Sequence, residues 1–246
     1  MPPNLAYSAM MLLSLLVGAI LLRRWQSGLS LLWWQKLGIG FGAFCGAFLG
    51  AKLPFALYDW ANTNVANPWL GDGKTIMFGV VGGYLGVEVA KWSLEIRQRT
   101  GDSYAVPVAV AVALGRLACF IGGCCFGTPT TLPWGVVFTA QGPLPRHPTQ
   151  LYEFAFHITA AALLWYFHSR GWFRYQLIKL YILSYLVFRF VTEFIRPEPE
   201  FYGLSAYQWI ALALFPIFIG LWVQTDWQVR KENVLSNVTE KPPHGA

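Results

Sequence analysis

Four short stretches place reactive side chains where an apolar chain should have none. "FRFVTEFIR" (188–196) spaces Arg189, Glu193 and Arg196 at i, i+4 and i+7, on one face of a helix. "GRLACFIGGCCFG" (115–127) puts Arg116 midway along an apolar run and follows it with Cys119, Cys124 and Cys125. "RHPTQLYE" (146–153) gathers His147, Gln150, Tyr152 and Glu153 around a helix start. "GVVGGYLG" (79–86) brings Gly82 and Gly83 into a small-residue run.

Charges inside a bilayer cost about 2.5–3.5 kcal/mol each on insertion scales, so those that persist face the bundle interior and mark function. Arg189 and Glu193 can neutralise each other across one turn. That pair cannot neutralise Arg116 and Arg196 as well; if the three arginines converge, an anion is missing. The planar arginine fork suits phosphate, so a lipid phosphate at the outer interface is the natural occupant. Thr149 reads as an N-cap for the helix that carries Glu153. His147 is a base, a phosphate partner or a solvated loop residue. His157 and His168 are expected to do no chemistry. The glycines of 79–86 serve close helix packing or the approach of a lipid chain.

The cysteines leave three readings open. Buried cysteine is a small hydrophobe, which suits Cys45 alone in its helix. A disulfide fits an oxidising compartment, although an i, i+5 pair in regular helix is poorly aligned for it. In the third reading Cys124 is a reactive thiol whose pKa is depressed by Arg116. A metal site would need His147 to fold back onto three thiols, so none is expected.

Elements that position these residues follow from composition. The 246 residues are 55% hydrophobic and only 12% charged, with mean hydropathy +0.43, against about 25% charged in soluble domains. Seven stretches are long and apolar enough to span a bilayer of about 20 residues per helix: 5–22, 37–57, 75–91, 105–126, 151–168, 176–195 and 207–227. The first lacks a basic leading region and is read as a retained helix. The net charge of +6 and pI of 9.2 do not call for nucleic acid, because the basic residues cluster by loop. Twelve of the eighteen Lys and Arg fall in the odd-numbered connections and the tail: Arg23, Arg24, Lys36, Lys91, Arg97, Arg99, Arg170, Arg174, Lys179, Arg230, Lys231 and Lys241. Basic loops stay cytoplasmic, so the N-terminus is expected outside and the C-terminus inside. The reading is an all-α, polytopic membrane domain over 1–228 with a polar, frayed cytoplasmic tail at 229–246. The outward loops carry the unusual content. The longest, 127–150, holds five prolines, and long ordered loops of this kind are commonly functional.

"GR…G…G", then "HPTQLYE", then "FRFVTEFIR", in this order and topology, resemble the bacterial phosphatidylglycerol–prolipoprotein diacylglyceryl transferases, from about Lys74 to Tyr207. The resemblance implies transfer of diacylglycerol from phosphatidylglycerol, or another anionic phospholipid, to the lipobox cysteine of a precursor lipoprotein. It implies no cofactor, and a multi-pass protein of the bacterial plasma (inner) membrane whose site faces the periplasm or outer leaflet. Arg116, Arg189 and Glu193 take the catalytic positions. Gly82, Gly83, His147, Gln150, Tyr152, Glu153 and Arg196 line the substrate. The chain departs from the family pattern at Val81, where a histidine is usual, and at Cys119, Gly122 and Cys124, where asparagines and an acidic residue are usual. Two other functions share the scaffold: a non-catalytic lipid-binding accessory protein, and an outward-facing thiol enzyme using Cys124.

Overall fold

The structure, a computed structural model, describes residues 5–62 and 75–239. Lys74 and Lys241 lie outside the described residues. Among the described residues seven α-helices follow one another: α1 Leu5–Trp25, α2 Trp33–Asn62, α3 Ile76–Ser93, α4 Asp102–Ile121, α5 Thr149–Ser169, α6 Leu177–Thr192 and α7 Ala206–Thr239. Each apolar stretch expected to form a helix does so. Four of them (α1, α2 to Pro54, α4 and α7 to Leu235) are long and apolar enough on those criteria alone to cross a membrane. The loops between α4 and α5 and between α6 and α7 each carry a two-residue antiparallel ladder: β1 Val136–Val137 with β2 Pro145–Arg146, and β3 Glu200–Phe201 with β4 Leu204–Ser205. Tyr202 and Gly203 both have positive φ (52° and 76°) at the tip of the second ladder, the backbone that a tight type I′ turn demands.

Three boundaries differ from expectation, each for a local reason. Helix α4 stops at Ile121 rather than 126, because Gly123 turns into the left-handed region at φ +64°. The amides of Gly123 and Cys124 close back on the carbonyls of Phe120 and Cys119, a glycine-dependent C-cap. Helix α6 ends at Thr192 and passes through a 3-10 turn, Glu193–Ile195. Arg196 is then extended (φ −107°, ψ 147°), as a residue before proline prefers. At the C-terminal end α7 continues through residues 229–239, so this part of the expected frayed tail is helical.

The burial pattern is inverted relative to a soluble protein. Large apolar side chains such as Phe41 (70% exposed) and Val191 (60% exposed) point outward, while Arg116 (5%) and Glu153 (1%) are enclosed. An exterior of that kind belongs in lipid, with the ionisable groups turned into the bundle. Helix α2 packs on α3, α1 on α4, α4 on α5, and α6 on α7. Glycine makes the first pairing possible. A Cβ on Gly82 would lie 2.3 Å from the Gly46 carbonyl oxygen, and one on Gly86 2.1 Å from that of Gly42. Small residues at such crossings let two backbones touch.

The odd-numbered connections meet at one end of the bundle. The Asp102 carboxylate accepts the amides of Tyr175 (2.5 Å) and Leu177 (2.9 Å), which caps the start of α6. Arg99 pairs with Glu232 at 2.7 Å, and Ser30 reaches Gln98 at 3.5 Å. At the opposite end the α4–α5 loop joins the turn after α6, where the Thr128 amide donates to the Ile195 carbonyl at 2.9 Å.

Candidate functional site

Side chains from four segments converge on one buried carboxylate. Arg116 of α4 pairs through Nη2 with Glu153 Oε2. Arg196 Nη2 lies 2.5 Å from Glu153 Oε1, and Arg189 Nη1 of α6 lies 3.5 Å from the same oxygen. Arg189 Nη2 also pairs with Glu193 Oε2 at 2.7 Å. Tyr185 Oη donates to Glu153 Oε2 at 3.3 Å, and Ser205 Oγ to Glu193 Oε1 at 2.9 Å. The Arg189 guanidinium sits 5.0 Å over the Tyr207 ring, which adds cation–π attraction in a dry setting.

Glu153, read from sequence as lining the substrate, supplies part of the negative charge that the arginines lacked. Glu153 is the shared counter-ion at the centre. Arg189 and Glu193 form the expected pair. Arg196 reaches the cluster from an extended segment instead of from the α6 face. Three arginines make direct ion pairs with two carboxylates among the described residues, so the directly paired groups carry one excess positive charge, with Glu198 and Cys125 within electrostatic reach. Arg116 Nε and Arg196 Nε are buried and have no hydrogen-bond partner among the described residues. Buried donors of that kind are costly unless something accepts from them.

Helix α5 holds the cluster through its first turn. Its N-cap is Pro148 and not Thr149, because the Thr149 hydroxyl is spent on the Cys125 carbonyl at 2.6 Å. Gln150, fully buried, donates through Nε2 to the Cys124 carbonyl. The two side chains therefore pin the thiol-bearing loop onto α5. Gly127 completes the joint: a Cβ there would meet the Ile195 carbonyl oxygen at 2.6 Å and His147 Cβ at 2.8 Å. Beside it, Trp134 Nε1 donates to Tyr152 Oη at 2.8 Å, and Tyr152 Oη lies 3.2 Å from His147 Nδ1.

The three thiols are free, and their sulfurs all lie within 4.8 Å of one another. Cys124 and Cys125 lie past the end of α4, so the objection from regular helix geometry does not apply to them. Cys125 occupies the left-handed region at φ 62°, a strained backbone for a residue with a side chain. Hydrogen bonds from the Cys119 and Cys124 thiols, together with the Arg116 and Arg196 charges, hold the Cys125 pKa well below the ordinary thiol range, whereas its thiol neighbours and burial push Cys124 up, so the depressed thiol expected at Cys124 lies at Cys125. His147 does not join the three sulfurs.

Gly82 and Gly83 face the seam with α2, Gly83 at ordinary contact with Ala43 and Ala47, and Val81 is buried in the core. His157, expected to be inert, is fully buried one turn from Glu153, with Nδ1 3.0 Å from Tyr181 Oη. Sequence reasoning missed Tyr185, Ser205 and Tyr207. Tyr185 stands four residues before Arg189 on the same face, a spacing that was open to reading. Ser205 and Tyr207 reach the site only through the β3–β4 ladder, and no local pattern signals that.

A helical membrane protein with a buried arginine–carboxylate cluster beneath an ordered loop is the class that fold and site define. Residues 5–224 match the family model described as prolipoprotein diacylglyceryl transferase. The phosphatidylglycerol–prolipoprotein diacylglyceryl transferase of Coxiella burnetii (strain RSA 331 / Henzerling II) is 38% identical over 206 residues, 76% of each chain. Those of Nitratidesulfovibrio vulgaris (strain DP4) and Clostridium tetani are 37% identical over 72% of each chain, and 32% identical over 92% of this chain and 94% of the relative. The chain belongs to the prolipoprotein diacylglyceryl transferase family.

Proposed function

We propose that this protein transfers diacylglycerol from phosphatidylglycerol to the lipobox cysteine of a precursor lipoprotein, with the arginine cluster as its phosphate site. The observation that carries the reading is the excess of three arginines over the two carboxylates directly paired with them, together with two buried Nε donors that have no partner among the described residues. A phosphodiester brings one negative charge and several acceptor oxygens, so it satisfies both. Arg116 and Arg196 supply donors, Arg189 is held in place by Glu193 and Tyr207, and Glu153 keeps the three guanidinium groups together in the absence of lipid.

The reaction breaks a carbon–oxygen bond and leaves charge on phosphate. Donors already aimed at that charge stabilise the transition state, each worth about a hundred- to a thousandfold in rate. The nucleophile is a thiol with an ordinary pKa near 8.5, so only a small fraction is thiolate at neutral pH. With Val81 where relatives usually carry histidine, His147 at the loop is the ionisable base placed near the mouth. Gln150, Tyr152 and Trp134 shape that mouth. We assign the seven helices as seven spans, with the basic connections and the C-terminus cytoplasmic. The site then opens toward the periplasm or outer leaflet of the bacterial inner membrane. The shared end of the odd-numbered connections supports this arrangement.

The test is turnover in nanodiscs with labelled phosphatidylglycerol and a lipobox peptide. Thioether product from the native chain, lost on Arg116→Ala in folded protein, is the expected result. No product from folded native protein would overturn the assignment and favour a non-catalytic lipid-binding role.

A further inference from the structure

The phosphate site leaves one group of side chains unused. Cys119, Cys124 and Cys125 come from both sides of a helix terminus, yet their sulfurs lie within 4.8 Å of one another as free thiols. Two left-handed backbone positions, Gly123 at φ +64° and Cys125 at φ +62°, produce this convergence. The second is strained for a non-glycine residue. Thr149 and Gln150 lock the same loop from α5 by binding the carbonyls of Cys125 and Cys124. A loop held this firmly is a built arrangement. Cysteines that served only as small hydrophobes would not need to share a focus.

The geometry suits a soft cation. Zinc–thiolate bonds of about 2.3 Å at tetrahedral angles put sulfurs about 3.8 Å apart, so side-chain rotation of about an ångström closes the set. Thiolate donors select zinc-like and other soft metals over hard ones. Three protein ligands with an open fourth position are the pattern of a reactive metal, whereas a purely structural zinc is closed by four. Here Cys119 and Cys124 are half-buried and Cys125 is exposed, so one side of the set is open to its surroundings. His147, already directed at Tyr152 Oη, leaves that side free. Arg116 lies within electrostatic reach of Cys119 and Cys125, which sets the thiols beside the proposed phosphate pocket.

We propose that Cys119, Cys124 and Cys125 form a three-thiolate site for a zinc-like thiophilic dication, whose fourth position takes the acceptor cysteine of the protein substrate. The role in the reaction rests on the transferase reading; the metal site itself does not. The acceptor thiol binds as thiolate and its proton leaves to solvent. Its sulfur then forms the bond to the glyceryl carbon, while the carbon–oxygen bond to phosphate breaks with the electron pair on oxygen. Glycerol phosphate departs, and the thioether, a much weaker ligand, leaves the metal. A coordinating thiol is deprotonated outright by such a cation, which supplies the activation that Val81 cannot.

The experiment uses the full chain in phosphatidylglycerol-containing nanodiscs, purified under reducing conditions and stripped with a chelator. Cobalt(II) is titrated in as a spectroscopic probe and zinc is measured by elemental analysis. Expected are one metal per chain, intense thiolate-to-cobalt absorption with a tetrahedral visible spectrum, and loss of both on Cys119→Ser or Cys125→Ser but not on Cys45→Ser. A lipobox peptide should shift the cobalt spectrum, and the same peptide with serine for cysteine should not. Because native protein gives the spectrum directly, misfolded variants cannot decide the outcome. Absence of cobalt–thiolate absorption in folded native protein overturns the metal site, even if transfer proceeds. Metal bound with no spectral shift from the cysteine peptide, or transfer undiminished after stripping, overturns the acceptor role. Metal and peptide binding without any thioether product from the zinc-loaded chain leaves the site standing and instead removes the transferase reading on which its role rests.

Discussion

Replacing Glu153 with glutamine changes almost no volume but removes the carboxylate that three arginines share. The excess charge of the directly paired groups rises from one to two, and Arg116 and Arg196 lose the one carboxylate they pair with among the described residues. Breaking a buried ion pair by deleting one partner costs about 3–5 kcal/mol, since the remaining charge is left unpaired in a low-dielectric interior. Glu153 is 1% exposed and Arg116 5%, so water cannot soften the loss. For a chain of this size each kcal/mol lowers the unfolding midpoint by about 2–4 °C, giving a fall of about 6–20 °C. The assay is thermal unfolding in nanodiscs followed by the emission of the twelve tryptophans. Adding Arg116→Gln restores the excess to one, so the double variant should recover at least about 1 kcal/mol relative to the sum of the single changes. A Glu153→Gln shift below about 3 °C, or strictly additive effects, would refute the shared counter-ion.

Gly82→Ala forces a Cβ to within 2.3 Å of the Gly46 carbonyl oxygen and should destabilise by about 1–3 kcal/mol. Gly115→Ala, which meets nothing within 4 Å, should be neutral or slightly stabilising; equal midpoints for the two variants would contradict the α2–α3 seam. Asp102→Asn keeps the shape but replaces one of the two acceptor oxygens with an NH2 that faces an amide donor, so one bond at the start of α6 is lost and the other loses its charge, and a loss of about 1–2 kcal/mol in the same unfolding measurement is expected. In chelated protein, alkylation of Cys125 should fall away at a lower pH than that of a free thiol such as glutathione, because its pKa lies below the ordinary thiol range. Peptide mapping that shows a tenfold drop per pH unit from pH 8 would contradict this.

The helices were legible because each is a long apolar run, and their order and alternating basic loops were legible with them. Arg189 and Glu193 were legible as a pair because a helix brings i and i+4 together whatever else the fold does. Glu153 was visible as a charge but not as the centre, since that role depends on α5 packing against α4 and on Pro197 redirecting Arg196. Gly122 and Gly123 fall inside an apolar run expected to stay helical to residue 126. That they end it, and so gather three thiols at one point, required the left-handed backbone at Gly123 and Cys125. Gly82 and Gly83 carried two readings that sequence could not separate, and the position of α2 places them in a packing seam.

The buried arginines are proposed to form a site for one lipid phosphodiester. Native mass spectrometry of the protein with equimolar phosphatidylglycerol and phosphatidylcholine tests it most directly, because both carry the phosphate but only the first has a net negative charge. The native chain should retain phosphatidylglycerol in preference, and Arg196→Gln, which removes the excess charge and one unpartnered donor, should abolish the preference. Equal retention of the two lipids by the native chain would contradict the account.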